Sequence, residues 1–217
     1  MGSEMCIRDR STRDRNRVST GMRVLSVRDD PARPREVGSF SNFYIHDCVV
    51  RGTTLYAAAI NDGILGVLDI ADPARIFEVT RFSTGRRFTH NAWPTVDGRF
   101  LFTTDERPDA PVEAWNITDP ARATKVAEYL GRPGTIPHNV LVDGNRLVIA
   151  HYTDGVHVLD ISDPARLRAV GRYDTFTTES PGQFFNGVWG VYIFPGSNLI
   201  LGSDMANGLH VLNYTGP

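Results

Sequence analysis

The stretch His138–Pro164, HNVLVDGNRLVIAHYTDGVHVLDISDP, decides the fold. HNVLV is a short apolar run, and Asp143-Gly144-Asn145 supplies turn chemistry. RLVIAHY is rich in β-branched residues, Thr153-Asp154-Gly155 turns the chain again, and VHVLDI alternates with period two. Asp163-Pro164 then closes the segment with a turn in which proline presets φ and the aspartate bonds nearby backbone. Three antiparallel strands in sequence are expected, with a fourth at Arg168–Tyr173.

The same order of elements recurs on both sides. Upstream, HDCVV, LYAAAI, Asn61-Asp62-Gly63, ILGVLDI and Asp72-Pro73-Ala74-Arg75 form one unit, with Glu78–Phe82 as its fourth strand. HNAWPTV, RFLFTTDE, VEAWNI and the turn at Asp119-Pro120 form the next, with Lys125–Tyr129 as fourth strand. MRVLSV before Asp30-Pro31 is the end of an earlier unit, and GVWGVYIF, NLILGS and GLHVLNY form a last, partial one. Units are expected near 21–40, 41–84, 85–131, 132–177 and 178–217. Asp-Pro pairs recur every 42 to 47 residues. That period with four strands per unit marks a β-propeller blade, because a four-stranded sheet has two apolar faces and stacking around an axis buries both. The expected fold class is therefore all-β, a propeller of four-stranded antiparallel blades. About four and a half are present, which reads as part of a larger ring whose open arc exposes an apolar blade face.

Composition agrees. The 217 residues are 41% hydrophobic and 22% charged, enough apolar material for several sheet interfaces, and 20 glycines with 13 prolines suit a turn-rich fold. A net charge of −2 gives no reason to expect nucleic acid. No apolar run is long enough for a membrane helix. Two cysteines, Cys6 and Cys48, are too few for a disulfide framework or a thiolate metal site. Residues 1–20 stand apart: Arg-rich and without periodicity, they are expected to lack structure. GSEMCIRD can be written codon for codon as GGC TCG GAG ATG TGT ATA AGA GAC, which reads as a translated sequencing adapter. Residues 1–10 are thus expected to be non-native, and Cys48 the one native thiol.

Four segments carry a family resemblance: Thr89–Glu106, the opening stretch, Gly171–Thr175, and WGVYIFP with LILGSDMANGLHVL. They resemble the LVIVD-repeat proteins, within them the choice-of-anchor B type. The resemblance implies a β-propeller in exported or surface-attached bacterial or archaeal proteins (extracellular, periplasmic or cell-surface), and it implies no established chemistry.

Chemistry is expected at one rim. His46, His90 and His138 open successive units, each followed by Asp or Asn (Asp47, Asn91, Asn139). In a propeller the first strand is innermost, so these positions converge on one mouth of the central channel. The turn between second and third strands lies on that face and carries Asp62, Asp105, Glu106, Asp154 and Asp204. Trp189 replaces the histidine in the last unit; it and Trp93 lie near enough to stack on a ligand, although packing between blades is the plainer role for both. Such a ring holds a divalent cation or positions a water, or its histidines bond a neighbouring blade's backbone. Two functions follow: a binding module for a protein, glycan or small ligand, or a metal-dependent hydrolase or oxidoreductase centred on His46, His90 and His138. Asp30, Asp72, Asp119 and Asp163 are expected to be structural turn residues, with Asp69 and Asp160 anchoring the same turns from the strand ends. His151, His157 and His210 are expected at solvated or inter-blade positions, and Cys48 as a buried thiol. The sequons at Asn116 and Asn213 read as chance matches, and no nucleotide-binding, serine-hydrolase or zincin motif occurs.

Overall fold

The computed structural model describes residues 4–7, 21–177 and 185–216, residues 4–7 by their backbone only. Five antiparallel sheets follow one another along the chain. The first holds β1 (Glu4–Ile7), β2 (Met22–Ser26) and β3 (Arg35–Phe40). Three complete four-stranded sheets come next: β4 (Asp47–Arg51) to β7 (Phe77–Ser83), β8 (Thr89–Pro94) to β11 (Thr124–Tyr129), and β12 (Asn139–Asp143) to β15 (Arg168–Tyr173). The last holds β16 (Val188–Ile193), β17 (Leu199–Asp204) and β18 (Gly208–Asn213). Strands within each sheet pair in chain order, and the first strands β4, β8, β12 and β16 lie side by side. This is the β-propeller arrangement.

Period-two alternation makes it work, because each strand must satisfy two neighbours at once. In β13 (Arg146–Ala150), Leu147 and Ile149 enter the core shared with the preceding sheet, while Val148 and Ala150 enter the core shared with the next. Four such cores lie between the five sheets. Trp115 closes one of them, stacking on Phe82 at 4.6 Å and donating its indole N–H to Thr103.

The turns behave as their residues demand. Asp30, Asp72, Asp119 and Asp163 each accept a hydrogen bond from the backbone N–H two residues on, and Asp69 and Asp160 do the same at the strand ends. Gly155 sits at φ +83, and a Cβ there would lie 2.1 Å from the Tyr173 carbonyl oxygen. Only glycine fits the second-to-third-strand turn at that point.

Two observations concern the ends of the arc. Residues 1–20 were expected to lack structure, yet Glu4–Ile7 pairs antiparallel with β2, Glu4 opposite Ser26 and Ile7 opposite Arg23. An open strand edge offers unpaired N–H and C=O groups that a short extended segment can satisfy whatever its side chains. The rest of 1–20 lies outside the described residues. In the last sheet, Leu209 and Val211 are 63% and 61% exposed, whereas Val156 and Val158, which hold the same register places one sheet earlier, are 1% and 4% exposed. The outer face of the last sheet is thus apolar and uncovered, as expected of an open arc. Among the described residues no helix is long and apolar enough to cross a membrane.

Candidate functional site

The inner strands bring their leading histidines together. The rings of His46 and His90 lie 4.4 Å apart, those of His90 and His138 4.1 Å apart, and the Trp189 ring continues the row 5.5 Å from His138. His90 and His138 are buried and His46 half-buried. The residues after the histidines hold the row by bridging sheets. Asn91 donates to Asp47 and accepts from the Val140 N–H, and Asn139 donates to the Trp189 carbonyl. The His138 imidazole also bonds that carbonyl through Nδ1. A carbonyl only accepts, so Nδ1 carries the proton and the Nε2 lone pair is left facing the mouth. Burial, opposed by this hydrogen bond and reinforced by nearby His46, lowers the His138 pKa to about 4, so the ring is neutral near pH 7.

Of the five carboxylates expected at this rim, one joins the row. Glu106 Oε1 lies 3.6 Å from His138 Nε2, and Oε2 lies 3.9 Å from His90 Nε2. The Tyr152 hydroxyl donates to Glu106 at 2.6 Å, and its ring packs 4.6 Å from His138. Burial raises the Glu106 pKa, partly offset by that hydrogen bond, and the carboxylate in turn pushes the phenol well above its ordinary range, after burial itself. Tyr152 adopts φ +37, a left-handed conformation that a bulky side chain takes only when its surroundings impose it. Register explains the pairing of these two. Thr104 pairs with Asn91 and Ala150 with Asn139, so Glu106 and Tyr152, each two residues further on, occupy one equivalent place in adjacent sheets.

The other four carboxylates serve the loops. Asp62 is exposed at its turn. Asp105 accepts from the Thr84 hydroxyl and from the Arg86 and Phe88 N–H groups, fixing the segment that enters β8. Asp204 caps its own turn through the Ala206 and Asn207 N–H groups. Asp154, 1% exposed, accepts from the Arg132 N–H at 2.7 Å, and the Arg172 guanidinium stands 2.6 Å from its other oxygen. Its neighbour His157 lies 3.2 Å away and bonds the Tyr129 hydroxyl through Nδ1 at 2.8 Å. Burial pushes the Asp154 carboxyl up, but the hydrogen bonds from His157 and the Arg132 N–H outweigh it and hold the group well below the usual carboxylate range.

Of the solvated and inter-blade alternatives, His151 and His157, 1% and 2% exposed, take the inter-blade one: they stack at 5.1 Å beneath the preceding blade's loop at Gly131, and His157 bonds Tyr129 of that blade. His210 is half-buried, 5.9 Å from the Tyr173 ring. Trp93 packs into the core between the second and third complete sheets, as its plainer role required, whereas Trp189 stands 53% exposed beside the row. The half-buried Cys48 packs against the first core. Tyr152 was missed in the sequence. The one signal for it is that HYTDG places an aromatic where the equivalent turn of the preceding complete unit but one, AINDG, has Ile60.

Comparison with known proteins follows the fold. Residues 137–175 match the LVIVD repeat family. No curated protein matches the sequence. Among solved structures, a protein described as a candidate 6-phosphogluconolactonase from Bacteroides uniformis ATCC 8492 superposes with a TM-score of 0.73 at 14% identity, over 93% of this chain and 64% of its own. The periplasmic gluconolactonase of Pseudomonas aeruginosa gives 0.67 at 17% identity, over 88% of this chain and 59% of its own. A functionally unknown protein from Desulfotomaculum acetoxidans DSM 771 gives 0.70 at 13%, over 90% and 62%. The chain therefore spans about three fifths of the length of these structures, and at such identities the likeness is one of fold.

Proposed function

We propose that this chain is the repeat domain of an exported or surface-attached protein and acts as a binding module through its channel mouth. The observation that carries the proposal is the convergence of His46, His90, His138, Glu106 and Tyr152 from successive blades on one opening. Ring separations of 4.4 and 4.1 Å are contact distances, so a ligand meets the row at its edge, beside the exposed Trp189, and not between the rings. Neutral imidazole at His138, a carboxyl raised by burial and flanking aromatic rings suit a small, oxygen-rich ligand. Sugar acids and their lactones belong to that class, and two proteins of like fold are named for lactone hydrolysis. The LVIVD match supports the exported location.

A second reading is hydrolysis or redox chemistry at the same mouth. It is favoured by the Glu106 carboxyl, whose raised pKa beside neutral imidazole suits a general base.

Trp189 provides the test. D-gluconate and glucono-1,5-lactone are titrated while tryptophan fluorescence and acid release are followed, in the wild type and in the His90→Ala/His138→Ala variant. A saturable fluorescence change in the wild type alone is expected. Acid release in the wild type alone would establish the second reading. No response, or the same response in both proteins, contradicts both.

A further inference from the structure

We infer that His90, Glu106 and His138 form a binding site for one divalent first-row transition metal ion of the zinc type. The inference rests on reading the channel mouth as the functional site and names what that mouth holds.

One atom each of His90, Glu106 and His138 lie within 4.8 Å of one another. The two imidazole–carboxylate separations, 3.6 and 3.9 Å, exceed hydrogen-bond length. Donors sharing one tetrahedral ion at bonds of about 2.1 Å stand about 3.4 Å apart. The two imidazole–carboxylate pairs, one to each Glu106 oxygen, thus need close by only about 0.2 to 0.5 Å around an ion, and the two imidazole nitrogens stand within 4.8 Å of each other.

Orientation points the same way. His138 gives its Nδ1–H to the Trp189 carbonyl, which fixes the ring and aims the Nε2 lone pair at Glu106. Glu106 is itself held by the Tyr152 hydroxyl on the oxygen nearer His138, with the other oxygen nearer His90. Histidine ligands tethered through their second nitrogen, and carboxylates held by a second hydrogen bond, are the usual supporting arrangement of a metal centre. The strained backbone of Tyr152 serves this placement.

Donor type sets the metal. Two imidazole nitrogens and one carboxylate oxygen suit Zn²⁺, Co²⁺ or Fe²⁺ and not Ca²⁺ or Mg²⁺, which take oxygen sets. Three protein ligands leave a coordination position open, and Glu106, the most exposed of the three at 15%, marks the side from which a ligand oxygen would enter.

Co²⁺ tests the site, because its visible spectrum reports coordination directly. The full chain, stripped of metal, is titrated with Co²⁺ and then Zn²⁺. One Co²⁺ per chain is expected, with visible bands of a four- or five-coordinate ion displaced by Zn²⁺. Glu106→Gln and His138→Gln are expected to weaken binding at least 100-fold with circular dichroism unchanged, and Tyr152→Phe about tenfold. His157→Gln, outside the site, is expected to leave affinity unaltered. Absence of saturable Co²⁺ binding below millimolar concentration overturns the inference, as does binding that survives Glu106→Gln or is lost with His157→Gln. Sugar-acid binding without saturable Co²⁺ binding would leave the mouth as the site while removing the metal. Metal binding without any sugar-acid response would do the reverse.

Discussion

Two clusters in this molecule are made of the same residue types and are partnered differently. At the channel mouth, Glu106 meets two imidazole edges at 3.6 and 3.9 Å and one phenol hydroxyl. One loop away, Asp154 meets a backbone N–H, two guanidinium groups and an imidazole that is itself tied to Tyr129. The second carboxylate has its charge matched, and its cluster locks the loop from β11 to β12 against the following blade. The first accepts one hydroxyl hydrogen bond and faces two imidazole edges beyond hydrogen-bond length. Charge matching therefore separates the two His–carboxylate clusters, where residue identity and recurrence do not.

The contrast can be broken by substitution. Asp154→Asn removes the anion to which Arg132 and Arg172 are turned. Both guanidinium groups are about two-fifths exposed and can regain water, so the expected loss is about 3 kcal/mol of unfolding free energy, at the lower end for a severed buried pair. Glu106→Gln at the mouth is expected to cost less than about 1 kcal/mol, since it gives up one hydroxyl hydrogen bond and can remake it through the amide. Urea denaturation of both variants decides the matter, and equal losses would erase the distinction.

Acid sharpens it. Burial first, and then the neighbouring His157, depress the His151 pKa to about 4 from an ordinary value near 6.5. A histidine depressed in the folded state binds its proton more readily when unfolded. Its contribution is intact above pH 6.5 and is lost as pH falls, reaching about 3 kcal/mol at pH 4. His151→Gln should flatten the stability profile between pH 6.5 and 4 relative to wild type. An unchanged slope would mean that His151 is not held neutral.

Much of the fold was legible because it is periodic. VHVLDI alternates, Asp-Gly and Asp-Pro mark the turns, and the same order recurs, so strands, sheets and the histidine row follow from local chemistry plus one assumption about blade order. What was not legible is which carboxylate turns inward. Asp105 and Glu106 are adjacent where β9 (Phe100–Asp105) runs into its turn, and Asp105 bonds the segment entering β8 while Glu106 takes the place that Tyr152 holds one sheet on. Which of two adjacent carboxylates bonds the neighbouring loop depends on groups from another segment, which the local pattern does not announce. Asp154 resembled a rim residue for the same reason: its position in the turn was readable, but the arginines that claim it come from two other segments.

The mouth, and not the Asp154 cluster, is the proposed metal site. Long-range proton–nitrogen spectra of the histidine side chains, taken with and without one equivalent of Zn²⁺, examine both regions at once. The Nε2 resonances of His90 and His138 are expected to move to metal-bound positions while those of His151 and His157 stay in place. Unmoved His90 and His138 resonances, or movement at His151 and His157 instead, would contradict that assignment.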